Sequence, residues 1–105
     1  MGQFDVYRNP SPASREAIPY MVDVQSDLLT GLQTRLLLPL ARPRYVPSKG
    51  PKALSPEVEV KGESLRVLPH LAAAMRPRDL GRPVASLASE SSILVAALDA
   101  VLSGV

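Results

Sequence analysis

Residues 34–41, TRLLLPLA, constrain this chain more than any other stretch. The run is almost wholly apolar, which suits a strand buried on both faces. Pro39 interrupts it. Proline has no N–H to give a ladder, so its presence implies an edge position or a bulge. The partner strand is read at residues 20–29, YMVDVQSDLL. There Met21, Asp23 and Gln25 alternate with Tyr20, Val22 and Val24, the period of a strand with one buried face. Pairing breaks at Ser26-Asp27, and Thr30-Gly31 supplies turn chemistry.

A chain of 105 residues holds one domain with a real core, residues 1–105. Its 11 prolines are about double the usual ~5% share, and they punctuate it into short strands joined by irregular loops. Residues 3–8 alternate as a first strand, and the Asn-Pro and Ser-Pro pairs of 9–19 make a loop, long enough to be either functional or mobile. Residues 42–56 form a second proline-rich stretch, with a short extended piece at Tyr45-Val46. Residues 57–61 and 64–70 alternate around Lys61-Gly62 and read as a hairpin. LAAAM at 71–75 has a helical preference, but Pro69 and Pro77 leave a stable helix little room. Residues 89–102 form the one clear helix: Ser86 or Ser89 caps it, and Glu90 suits its positive end. Ile93, Leu94, Ala97, Leu98, Val101 and Leu102 make its apolar stripe, a core and dimer contact, and Gly104 ends it.

Several classes of function are disfavoured. Hydrophobic residues are 46%, too many for an intrinsically disordered chain. No run approaches the ~20 apolar residues that span a bilayer, and MGQFDVYRNP lacks the build of a signal peptide. The absence of cysteine fits a reducing cytoplasm and removes thiol catalysis and cysteine zinc sites. Net charge is +2, and the basic residues are scattered and broken by prolines, unlike a nucleic-acid face. No phosphate loop or metal-ligand cluster is present, so no cofactor is expected. His70, the only histidine, lacks the company of a catalytic set and reads as a surface or hairpin residue. Asp23 and Asp27 read as strand-end or turn caps before they read as an acid–base pair. Asp99, an acid in the last helical turn, opposes the helix dipole and is either a tolerated surface charge or a partner contact.

VDVQSDLL at 22–29 followed by LLLPLA at 36–41 resembles the signature region of the CcdB family, gyrase-directed toxins of toxin–antitoxin modules. QFDVY at 3–7, LSPEVEV at 54–60, GES at 62–64, LG at 80–81 and the closing glycine with a β-branched residue resemble it too; the loop between Tyr7 and Tyr20 is longer here. The resemblance implies a small, SH3-like, CcdB-like antiparallel β-barrel with a C-terminal α-helix and extended chain at 71–75. The many short strands followed by one helix agree with it independently. It also implies binding instead of catalysis. Such proteins are homodimers that dock into the A subunit of DNA gyrase and trap the enzyme on cut DNA. A disordered antitoxin neutralises them, and the pair represses its own operon, so operator DNA is reached only through the antitoxin.

Carried onto this chain, the gyrase contact is Leu28, Leu29, Asp99, Leu102, Ser103, Gly104 and Val105. Ser103 stands where the family has tryptophan, and Leu102 replaces the aromatic before it. A buried aromatic anchor on an arginine is worth roughly 2–4 kcal/mol at an interface, and serine supplies neither its area nor its π-face. The exposed, proline-rich loop after Arg8 and the basic residues from Arg42 to Lys52 suit an acidic, disordered segment, so Arg8, Arg15, Arg42 and Arg44 are the antitoxin candidates. Two rival readings are a degenerate toxin that keeps only its antitoxin or operator role, and a ribonuclease using Thr34, Arg35, Arg66 and His70.

Overall fold

The computed structural model describes residues 2–29, 31–46 and 54–104. Within them lie seven strands and one α-helix: β1 (Asp5–Arg8), β2 (Tyr20–Asp23), β3 (Arg35–Ala41), β4 (Glu57–Val60), β5 (Glu63–Val67), β6 (Ala73–Met75), β7 (Ala85–Ser86) and α1 (Ser91–Ser103). All pairings are antiparallel, in the order β4-β5-β3-β2-β1-β7, with β6 also on β3. The sheet curls into a nearly closed barrel with the helix at its C-terminal end, the expected fold class.

β3 is buried on both faces, as its composition requires. Leu38 and Leu40 join Val6, Val22, Val58, Val60, Leu65 and Val67 on one side, where Leu87, just before the helix, and Leu94 within α1 close the core. Leu37 faces the other way, into a smaller cluster with Tyr7, Met21 and Leu80. That second cluster corrects the reading of β2 as a one-faced strand: Met21, Val22 and Asp23 are all buried. β2 also ends at Asp23, because Asp27–Leu29 coils into a 3-10 turn. Thr30 lies outside the described residues.

Pro39 is neither at a sheet edge nor in a bulge; it pairs with Met21 in the middle of β3. The other edge of β3 is shared, β5 pairing Leu40 and Ala41 and β6 pairing Arg35 to Leu37. Between these two neighbours the chain turns at Pro69–Leu71, so the missing N–H falls where no strand asks for it. Only the carbonyl of Pro39 is used, accepting the Leu68 amide at 3.0 Å.

β1 begins at Asp5, two residues later than the alternation suggests, because Phe4 holds a left-handed φ of 71°. The hairpin forms around Lys61 (φ 51°) and Gly62 (φ 81°), the two left-handed residues of a tight turn. β5 stops at Val67, short of His70, which lies in the 3-10 turn after it. Residues 73–75 are extended despite their helical propensity, because pairing with β3 satisfies their backbone. Tyr45 closes a 3-10 turn, Pro43–Tyr45, in place of the short extended piece.

α1 starts at Ser91, after a 3-10 turn at Ala88–Glu90, and has no side-chain cap; Ser86 instead accepts the Ala88 amide at 3.2 Å. Gly104 ends it at φ 71° and donates to the Ala100 carbonyl at 2.9 Å, as expected. Only part of the expected stripe is buried. Leu94, Ala97 and Ala100 are inside and Leu98 is half-buried, whereas Ile93, Val101 and Leu102 face out because the sheet covers only one side of the helix.

Candidate functional site

Two surfaces collect the functional candidates. The first is the 3-10 turn Asp27–Leu29. Leu28 there is 94% exposed and Leu29 47%. Exposure so complete in a leucine is unusual on a well-fastened turn, and this one is fastened from three directions. Asp27 accepts the Gln3 amide at 2.9 Å, Gln25 Nε2 donates to the Leu29 carbonyl at 3.2 Å, and Leu28 N–H donates to Ser26 Oγ at 3.2 Å.

Beneath the turn sits a buried ion pair. Arg35 Nε donates to Asp23 Oδ2 at 2.7 Å, with the two side chains 3% and 0% exposed. In the register Asp23 faces Leu37, so Arg35 is its diagonal neighbour on the same sheet face, within reach of a long side chain. The hydrogen bond to Asp23 pushes the Arg35 pKa above the ordinary arginine value despite burial. The same guanidinium donates to the Gln25 carbonyl at 3.1 Å and lies 3.5 Å from Asp27. Asp23 and Asp27 are therefore structural, fixing the end of β2 to the turn.

The other gyrase candidates lie at the end of α1, where Asp99, Leu102, Ser103 and Gly104 are all exposed. Ser103 Oγ donates back to the Asp99 carbonyl at 2.7 Å, and the Asp99 carboxylate makes no ion pair among the described residues. Val105 lies outside the described residues.

The second surface is a groove of about 680 Å³ between the 9–19 loop and the β4–β5 turn. Arg8, Arg15, Arg42 and Lys61 line it with Glu16, Pro12, Pro19, Tyr20 and Val84. The loop is not slack. Asn9 is buried, donating to Ser14 Oγ at 2.9 Å and the Ile18 carbonyl at 2.8 Å, and Arg15 Nε donates to the Asn9 carbonyl at 2.9 Å. Arg42 Nε donates to Glu63 at 2.7 Å, which pushes the Arg42 pKa up, and its other nitrogen lies 3.4 Å from Glu16. Arg44 stands beside the groove, bonded to Glu16 and stacked 5.0 Å from the Tyr45 ring centre. Three of the four antitoxin candidates thus meet in one place, and Lys61 joins them. Sequence reading missed Lys61 because it marked Lys61-Gly62 only as a turn.

The family model described as CcdB protein matches residues 3–104. The chain belongs to the CcdB family. The match takes in both surfaces and every described strand, and it points to a toxin of a toxin–antitoxin pair. A comparison with the curated proteins finds no significant match. The set weighed for RNA cleavage does not assemble in this CcdB-family chain: Arg35 is buried in its ion pair, and Arg66 pairs opposite Ala41 at the far end of β3. Six residues of strand separate those positions by about 20 Å. No helix among the described residues is long and apolar enough to cross a membrane.

Proposed function

We propose that this chain is the toxin of a type II toxin–antitoxin pair. It acts in the cytoplasm as a homodimer on the A subunit of DNA gyrase, trapping the enzyme on cleaved DNA. An acidic, disordered antitoxin restrains it, and together the two repress their operon. The observation that carries this reading is Leu28, 94% exposed on a turn tied down by Gln3, Gln25 and Ser26. An apolar side chain carried in water on a tied-down backbone gains from a partner that buries it, because little backbone order remains to be lost on binding. The exposed end of α1 supplies the second half of the contact.

Ser103 favours a second reading, a toxin that has lost or changed its target, because its hydroxyl is spent on its own helix. Incubating the protein with gyrase and supercoiled plasmid separates the two. Weak linearisation is expected from the native chain and none from Leu28→Ser. Ser103→Trp should strengthen linearisation, about tenfold in affinity per 1.4 kcal/mol recovered. It should leave the fold intact, since the site is exposed. No linear DNA from either the native or the tryptophan form, with dimer and antitoxin binding preserved, would move the choice to the second reading. Strong linearisation by the native chain would show that the tryptophan is dispensable.

A further inference from the structure

We infer that the groove is a docking site for an acidic, extended segment of a partner chain, recognised by Arg8 and Lys61 while Arg15 and Arg42 build its walls. The identity of that partner as the antitoxin rests on the function proposed above; the chemistry of the groove does not.

The four cations are not equivalent. Arg42 is held by the Glu63 and Glu16 carboxylates and donates to the Glu16 carbonyl at 2.7 Å. Arg15 is committed to the carbonyls of Asn9 and Pro10. Arg8 and Lys61 are exposed and make no ion pair among the described residues. An incoming carboxylate therefore meets two cations, Arg8 and Lys61, that form no ion pair among the described residues, with the charge of Arg15, its donors held by backbone carbonyls, in the wall beside them.

Lys61 carries a second signal. Its φ of 51° puts it where asparagine, aspartate or glycine is at ease and a long side chain is not. A lysine in that conformation beside a basic groove carries a local backbone cost that no ion pair among the described residues offsets. The shape of the ligand follows from the sheet. β2 pairs with Val6, Tyr7 and Arg8, whereas β7 pairs only with Asp5 and Val6. At Arg8, β1 thus has a strand on one side only among the described residues, and an extended chain can lie along the other. Tyr20, Val84, Pro12 and Pro19 give that chain an apolar wall for alternate side chains. Nucleic acid fits less well, because Arg42 is neutralised internally and two carboxylates, Glu16 and Glu63, stand against phosphate.

The test uses the full chain and a short fluorescein-labelled peptide alternating glutamate with leucine, read by anisotropy. Binding should weaken as salt rises, and Arg8→Glu combined with Lys61→Glu should lower affinity roughly tenfold or more. Lys61→Asn should weaken binding while holding or raising the melting temperature, which separates recognition from folding. Unchanged affinity in both variants overturns the proposal. So does a single-stranded oligonucleotide of equal charge that displaces the peptide and binds tighter. The protein encoded by the neighbouring reading frame is the deciding arm. If it binds and Arg8→Glu with Lys61→Glu leaves it unaffected, the groove assignment fails and the antitoxin reading survives. If the peptide needs Arg8 and Lys61 but that protein does not compete with it, the groove stands and the antitoxin reading fails.

Discussion

Tyr7 is buried to its hydroxyl, which meets no hydrogen-bonding protein group among the described residues. Burial first, then the charges of Asp5 and Asp23, push its pKa above 10.0, with Arg35 opposing them. The folded chain then keeps a proton that the unfolded chain releases. This contribution to stability is constant below about pH 10 and is lost as pH rises from there through the folded pKa. Tyr7→Phe removes the ionisation and breaks no protein hydrogen bond. At neutral pH its stability should equal or slightly exceed that of the native chain, and above about pH 10 it should fall less steeply. Urea midpoints for both proteins on either side of that pH check it; parallel losses would assign the alkaline limb to other groups. Phe4 and Lys61 belong to the same scale. Nothing in their side chains announces a left-handed backbone, which is set by where β1 and the hairpin must turn.

At the level of elements, β2, β3 and the 27–29 turn are joined by one guanidinium. Arg35 reaches Asp23, Asp27 and the Gln25 carbonyl, and Gln25 Oε1 in return accepts the Leu36 amide at 3.1 Å. Removing one partner of such a pair leaves a buried charge unanswered. Arg35→Met should therefore cost about 3–5 kcal/mol, and adding Asp23→Asn should return a large part of it. Denaturant unfolding of the two variants measures this; a double variant no better than the single one would show that the hydrogen bonds to Gln25 and the turn matter more than the charge. Hydrogen exchange at Leu28 and Leu29 should quicken in Arg35→Met before the rest of the sheet does, since the turn hangs on this residue.

For the whole molecule, the uncovered side of the helix bears on the proposed homodimer. α1 packs against the turn Pro69–Leu71; on the helix Ile93 and Val101 are 39% and 38% exposed, and on the turn Leu71 is 50% exposed. Apolar surface gathered in this way suits a symmetric contact between two copies, in which one patch meets itself. Sedimentation at micromolar concentration should give twice the monomer mass of 11.2 kDa, and Ile93→Glu should give a folded monomer. A native chain that sediments as a monomer would remove both the dimer and the docking geometry that depends on it.

The sequence by itself determined β1 to β5, the hairpin turn, the central place of 34–41 and the helix with its glycine stop, whereas β6 ran against its own helical propensity and β7 carried no local signal. The former follow from local causes: alternation, turn residues and helical spacing act over a few positions and are written there. The tertiary structure alone decided that Asp23 goes inward with Arg35, since each partner is buried only because the other is. It decided which side of Pro39 lacks a strand, which stripe residues the sheet leaves in water, and that Arg8, Arg42 and Lys61 share one groove. Each of these depends on two segments far apart in the chain meeting in a particular register, and no single stretch of sequence carries that information.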